Sequence, residues 1–298
     1  MKRKLIRQGA GGYTIYLPKK WVEDQNLAAS DEIIVEPLEG NLLLSAHAQD
    51  QKRITKLALT HMSESVIRTL ITNAYRSGYD LINISFEKEE QFTILKEVIN
   101  GRLLGFEITK HDPGSCIVEN ITEPAAEQFE TLLRKVLFSI TELFDITQQR
   151  LDGGKADFEE VAERIQKYDN FCRRIIVKET IKRRNSEMLW TFLALIVHAQ
   201  RDLYYLNKFI SQKTVVSKKT RLLFDETREL FDLVKRAYIE RKVELLGDVH
   251  EKHQEVFFKT GYKLLEESNG RETVVVHHLL AALRQFYQAT SPLAGWLV

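Results

Sequence analysis

Lys4-Leu5-Ile6-Arg7-Gln8, then Gly9-Ala10-Gly11-Gly12, then Tyr13-Thr14-Ile15-Tyr16-Leu17-Pro18-Lys19-Lys20-Trp21-Val22 spell a strand, a glycine turn, a second strand and one helical turn. Alternation across residues 13–17 predicts a half-buried strand, and the glycines can adopt the positive φ that a tight reversal needs. Pro18 stops the strand and can open a short helix. Lys2, Arg3, Lys4, Arg7, Lys19 and Lys20 crowd into this stretch, and its first acidic residue is Glu23.

Downstream, Asn26-Leu27, Asp31-Glu32-Ile33-Ile34-Val35 and Asn41-Leu42-Leu43-Leu44 continue the pattern with two more strands. Together these motifs resemble the SpoVT-AbrB swapped-hairpin domain. The resemblance implies that two chains exchange hairpins to build one small barrel and that a basic face grips DNA. Physical reasoning agrees, because a hairpin of this length buries too little apolar area to stand alone. Carried onto this chain, the DNA-binding face falls on Arg3, Lys4, Arg7, Tyr13, Lys19 and Lys20, with the backbone near Gly11 and Gly12 approaching phosphates. The lysines would neutralise phosphates, whereas Arg7 or Tyr13 could also read base edges or groove shape. The alternative is a set of solvated edge residues that keep two strands from aggregating.

Beyond this head, 298 residues are too many for one ordinary core, and two or three domains are expected. Lys+Arg 43 against Asp+Glu 42 leaves a formal charge of +1, so contact with nucleic acid has to be local. Cys116 and Cys172 stand far apart and offer neither a disulfide framework nor a thiolate metal cage, which fits a reducing cytoplasm. The basic start lacks the apolar segment of a signal peptide, and no apolar run is long enough to span a bilayer.

Residues 52–122 read as β-α-β-α-β-β. Strands are expected at 54–59, 81–86, 106–109 and 116–118, and helices at 63–77 and 88–100, with the turn Asp112-Pro113-Gly114 between the last two strands. The prediction is a small α/β layer of four strands covered by two helices. Its glycines lack phosphate-loop spacing, which leaves a spacer or regulatory platform, with ligand sensing as the alternative.

From Pro124 onward the spacing is helical. Helices are expected at 125–151, 158–184, 187–212, 218–240, 242–268 and 271–290, with breaks at Asp152-Gly153-Gly154, Asn185-Ser186 and Ser268-Asn269-Gly270. On Tyr168-Asp169-Asn170-Phe171-Cys172-Arg173 and His198-Ala199-Gln200-Arg201-Asp202-Leu203, this half resembles the PhoU family, built from two repeats of a three-helix bundle. Head and bundle in this order resemble the phosphate-uptake regulators of archaeal type. The apolar tail, residues 292–298, either docks a partner or, as we prefer, packs back on its own bundle.

The PhoU resemblance implies acids four residues apart on inner helices, which places two carboxylates on one face to hold a metal. Here Asp169 meets Arg173, and Asp202 meets His198. The preferred reading is an i,i+4 ion pair in which Arg173 replaces the second acid; a single metal on Asp169, His198 and Asp202 is the alternative. His250-Glu251-Lys252-His253 lacks the H-E-x-x-H spacing and reads as a solvated helix face, and the adjacent His277 and His278 point in different directions. The sequence contains no nucleophile elbow and no phosphate loop.

These observations predict an α+β multidomain protein. A swapped-hairpin, dimeric barrel occupies residues 1–46, a βαβαββ layer 52–122 and a PhoU-like bundle of six helices 124–291, with the tail at 292–298. The function the resemblance implies is a cytoplasmic DNA-binding transcription regulator of phosphate uptake, not an enzyme. Its partners would be double-stranded DNA, a second copy of the chain and a transporter or kinase docking on the bundle, and it would need no cofactor unless a divalent metal enters the bundle. The alternative is an adaptor that does not bind DNA and uses the hairpin only to dimerise.

Overall fold

A computed structural model describes residues 2–9, 11–38, 40–46, 52–60, 63–122, 126–179 and 185–298. The expected start of the helical part at 124 and 125 and the expected helical continuation from 180 to 184 lie outside the described residues. The chain is α+β and falls into two compact units, Met1–Lys52 and Arg53–Val298.

The first unit follows the sequence closely in order and loosely in length. Strands β1 (Ile6–Gln8) and β2 (Gly12–Thr14) pair antiparallel across a turn in which Gly9 has φ +56°. Helix α1 (Lys19–Asp24) starts after Pro18, and β3 (Ile34–Leu38) pairs with β4 (Asn41–Ser45) across a turn where Gly40 has φ +83°. The strand expected at 13–17 is thus shorter and displaced toward the glycines. The two hairpins are separate two-stranded sheets, and among the described residues no barrel is closed. Strands of three to five residues are too short to wrap around a core by themselves.

The second unit opens with β5 (Ile54–Leu59), α2 (Glu64–Arg76), β6 (Leu81–Phe86), α3 (Glu89–Arg102), β7 (Phe106–Asp112) and β8 (Ser115–Asn120). Sheet order is β5-β6-β8-β7, with β5 and β6 parallel and the remaining pairs antiparallel. Period-2 alternation buries Leu59, Ile82, Ile84, Phe86, Cys116 and Val118 in one cluster with Ile67, Ile71 and Tyr75 of α2 and Leu95 and Ile99 of α3. This is the expected α/β layer.

Helices α4 (Phe129–Leu151), α5 (Glu159–Lys178), α6 (Ser186–Phe209) and α7 (Lys218–Glu240) follow. The fifth expected helix is a composite: α8 (Leu245–His253), a π-helical segment Gln254–Gly261 and α9 (Tyr262–Glu267). Helix α10 (Gly270–Gln288) packs along α6 and α7. The apolar tail is itself helical, α11 (Thr290–Leu297), and lies against α6. Leu293 is fully buried there, the Trp296 ring stacks on Tyr238 at 5.1 Å, and the Arg241 guanidinium covers Trp296 at 3.8 Å. The tail therefore packs on its own bundle. A continuous core runs from Phe129 to Leu293. Among the described residues no helix is long and apolar enough to cross a membrane.

Candidate functional sites

The basic residues of the head remain at its surface. The register of β1 and β2 sets Arg7 opposite Tyr13, so these two side chains share one face of the hairpin. Arg3 and Lys4 precede β1, and all four are exposed. Lys19 and Lys20 fill the first turn of α1, which has no acidic residue, so two cations sit where the helix dipole is already positive. Lys19 lies 3.6 Å from Glu23 in a solvent-exposed pair of little energetic weight. Among the described residues no carboxylate comes within ion-pair distance of Arg3, Lys4, Arg7 or Lys20.

The residues considered for a metal meet around α5. Asp169 is fully buried; its Oδ1 accepts from Arg173 Nε at 2.8 Å and its Oδ2 from Arg76 Nη2 at 2.9 Å. Arg76 Nε donates to Asn170 Oδ1 at 2.8 Å, while Asn170 Nδ2 donates to the Arg102 carbonyl at 2.9 Å. The ion pair expected between Asp169 and Arg173 is present, with Arg76 of α2 as an unforeseen third member. Asp202 lies elsewhere on α6, with Oδ1 3.4 Å from His278 Nδ1 of α10. Burial holds His198 below the usual histidine range, and Arg201 and Arg173 add to that effect against the pull of Asp169 and Asp202. Both oxygens of Asp169 accept from guanidiniums, and among the described residues no cluster of three metal-ligating side chains occurs.

One turn further along α5, Arg174 is fully buried. It donates from Nη1 to the carbonyls of Tyr75 at 3.0 Å and Tyr79 at 2.7 Å, and from Nη2 to Asp80 Oδ1 at 2.5 Å. Its guanidinium also lies over the rings of Tyr75 and Phe106. Burial alone would raise the Asp80 carboxyl, but the Arg53 backbone N–H, Lys178 and Arg174 outweigh it and hold the group below its ordinary value. These polar bonds fasten the α/β layer to α5. Sequence reading missed Arg76 of α2 and Arg174 of α5; for Arg174 the available signal was charge at a position spaced with the apolar face of α5.

The four-residue run at 250–253 is not uniformly solvated. His250 is exposed and bonds Tyr287 through Nδ1 at 3.0 Å, whereas His253 is buried, its ring stacked on Tyr287 at 3.8 Å and on Phe257 at 5.1 Å. The reason is legible in retrospect: Val249, Val256 and Phe257 lie four before, three after and four after His253, so it belongs to their stripe. Cys116 and Cys172 are both buried free thiols, and burial pushes Cys116 up to about 11, which makes it a poor nucleophile.

A further basic cluster lines a cavity of about 630 Å³ between α2, α5 and α6. Comparison with protein-family models, with curated proteins and with solved structures finds no match for this chain.

Proposed function

We propose that this chain is a DNA-binding transcription regulator that works as a homodimer through its head, in the manner of the archaeal-type phosphate-uptake regulators it resembles. The observation that carries the reading is that none of the described head side chains is buried. Leu5 is 69% exposed, Tyr16 67% and Leu42 66%, and Ile6, Ile15, Ile34 and Val35 are exposed as well. A lone copy of the head gains almost nothing from apolar burial. A second copy is the simplest occupant, because each hairpin is a two-stranded sheet with open edges and the β3–β4 hairpin carries an apolar face of Val35, Pro37, Leu42 and Leu44. Two heads completing one swapped-hairpin barrel would present Arg3, Lys4, Arg7, Tyr13, Lys19 and Lys20 twice.

In this reading the helices serve as a PhoU-like sensor or as a docking surface for a transporter or kinase, and the protein is cytoplasmic and non-enzymatic. Phosphate as the regulated nutrient rests on the resemblance alone. Val35 faces Leu44 and Pro37 faces Leu42 in the β3–β4 register, which puts Val35 and Leu42 on one face. Sedimentation velocity tests the arrangement. The wild-type chain is expected to be a dimer, and Val35→Asp/Leu42→Asp a folded monomer whose affinity for duplex DNA falls at least about tenfold, because two tethered basic faces become one. A monomeric wild-type chain, or equal DNA affinity in the variant, would contradict the proposal.

A further inference from the structure

Helix α2 buries Ile67, Ile71 and Tyr75, and the next residue after each, Arg68, Thr72 and Arg76, lines the cavity it shares with α5 and α6. Arg102 ends α3 at the same place, and Arg201, Tyr205 and Lys208 approach from α6. Five cations thus face two carboxylates, Glu159 and Glu163. Arg76 is committed to Asp169 and Asn170, and Arg68 pairs with Glu64 at 2.7 Å. Arg102, Arg201 and Lys208 have no carboxylate within ion-pair distance among the described residues.

Cations drawn from three helices, far apart in sequence, converge in excess over the two carboxylates that line the cavity. Burial lowers the Arg102 guanidinium from its ordinary value, and nearby Arg68 and Arg201 lower it further against the pull of Glu163 and Glu64. Like charges held together in this way disfavour the empty fold, and an anion between them removes the cost. Planar guanidinium forks suit phosphate oxygens, and the volume is that of a mononucleotide-sized ligand. Three cations with no carboxylate at ion-pair distance, spread around one cavity, call for more than one anionic group.

We infer that the cavity between α2, α5 and α6 binds a small ligand carrying two or more phosphate groups, held by Arg102, Arg201 and Lys208. The inference is independent of DNA binding by the head. Calorimetric titration of the intact protein at constant ionic strength with pyrophosphate, ADP and ATP tests it, with sulfate as control. At least one phosphate ligand is expected to bind one per chain, and Arg102→Gln or Arg201→Gln to weaken it about tenfold each. Tighter binding of ADP than of pyrophosphate would identify a nucleotide, and equal binding an inorganic polyphosphate. Removing Arg102 relieves repulsion, so Arg102→Gln should melt no lower than wild type, which separates a lost ligand contact from a lost fold. Lys19→Ala/Lys20→Ala should bind the ligand unchanged. The inference is overturned if all three ligands bind no better than sulfate, if the double variant Arg102→Gln/Arg201→Gln binds as wild type does, or if a short DNA duplex displaces the bound ligand.

Discussion

His253 carries its ring between Phe257 and Tyr287 with neither nitrogen hydrogen-bonded among the described residues. Burial, helped by His250 and Arg284, pushes it down to about 4. The unfolded histidine titrates near 6.5, so between the two values the unfolded chain binds more protons. Stability is therefore complete above about pH 6.5 and declines as the pH falls toward 4. At pH 5 the loss is on the order of 1–2 kcal/mol relative to pH 7.5. His253→Phe keeps the ring stack and removes the titration; urea unfolding at the two pH values should show a smaller drop for the variant by that amount, and parallel drops would refute this account. Arg174 is the second decisive residue. Arg174→Met should cost about 3–5 kcal/mol in urea unfolding, because it strips Asp80 of its buried partner and leaves the Tyr75 and Tyr79 carbonyls short of a donor. A loss under about 1 kcal/mol would mean that Lys178 and Arg53 suffice for Asp80. Burial of both residues was legible in the spacing of the apolar positions around them, but their partners, Tyr287 for His253 and Asp80 for Arg174, were not.

At the scale of elements, α7 was readable to the residue, and the structure explains why. Ser217 accepts from the Thr220 N–H at 3.2 Å to start it, and Arg241 at φ +56° ends it. Strands β5 and β6 were equally clear, since β-branched alternation between turn residues has one reading. The composite helix was not, because periodicity averaged over a long window conceals one π-helical stretch. That stretch brings Gly261 against α10: a Cβ there would stand 2.5 Å from Leu280 Cδ2 and 2.9 Å from the Val256 carbonyl oxygen. Gly261→Ala should destabilise the protein by about 1–3 kcal/mol, since the backbone oxygen cannot yield as a side chain can. An unchanged urea midpoint would mean that the π-helical segment relaxes to accommodate the methyl group.

For the whole molecule, the order of head, α/β layer and helices was legible, and the bonds joining the last two were not. Arg76 to Asp169 and Arg174 to Asp80 span 93 and 94 residues, and polar contacts over such separations leave no periodic trace. The head poses the complementary case: its apolar alternation is plain in the sequence, yet none of its described side chains is buried. That mismatch underlies the claim that two heads combine and hold DNA between their basic residues. Its most direct test is the salt dependence of anisotropy titrations of random-sequence duplex DNA with the intact protein and with Lys19→Ala/Lys20→Ala. Each phosphate contact contributes about 0.9 to the slope of log K against log salt, so a dimer losing two lysines per copy should lose about 3–4 units of slope. Absence of binding even at low salt, or identical slopes for the two proteins, would contradict DNA recognition by this head.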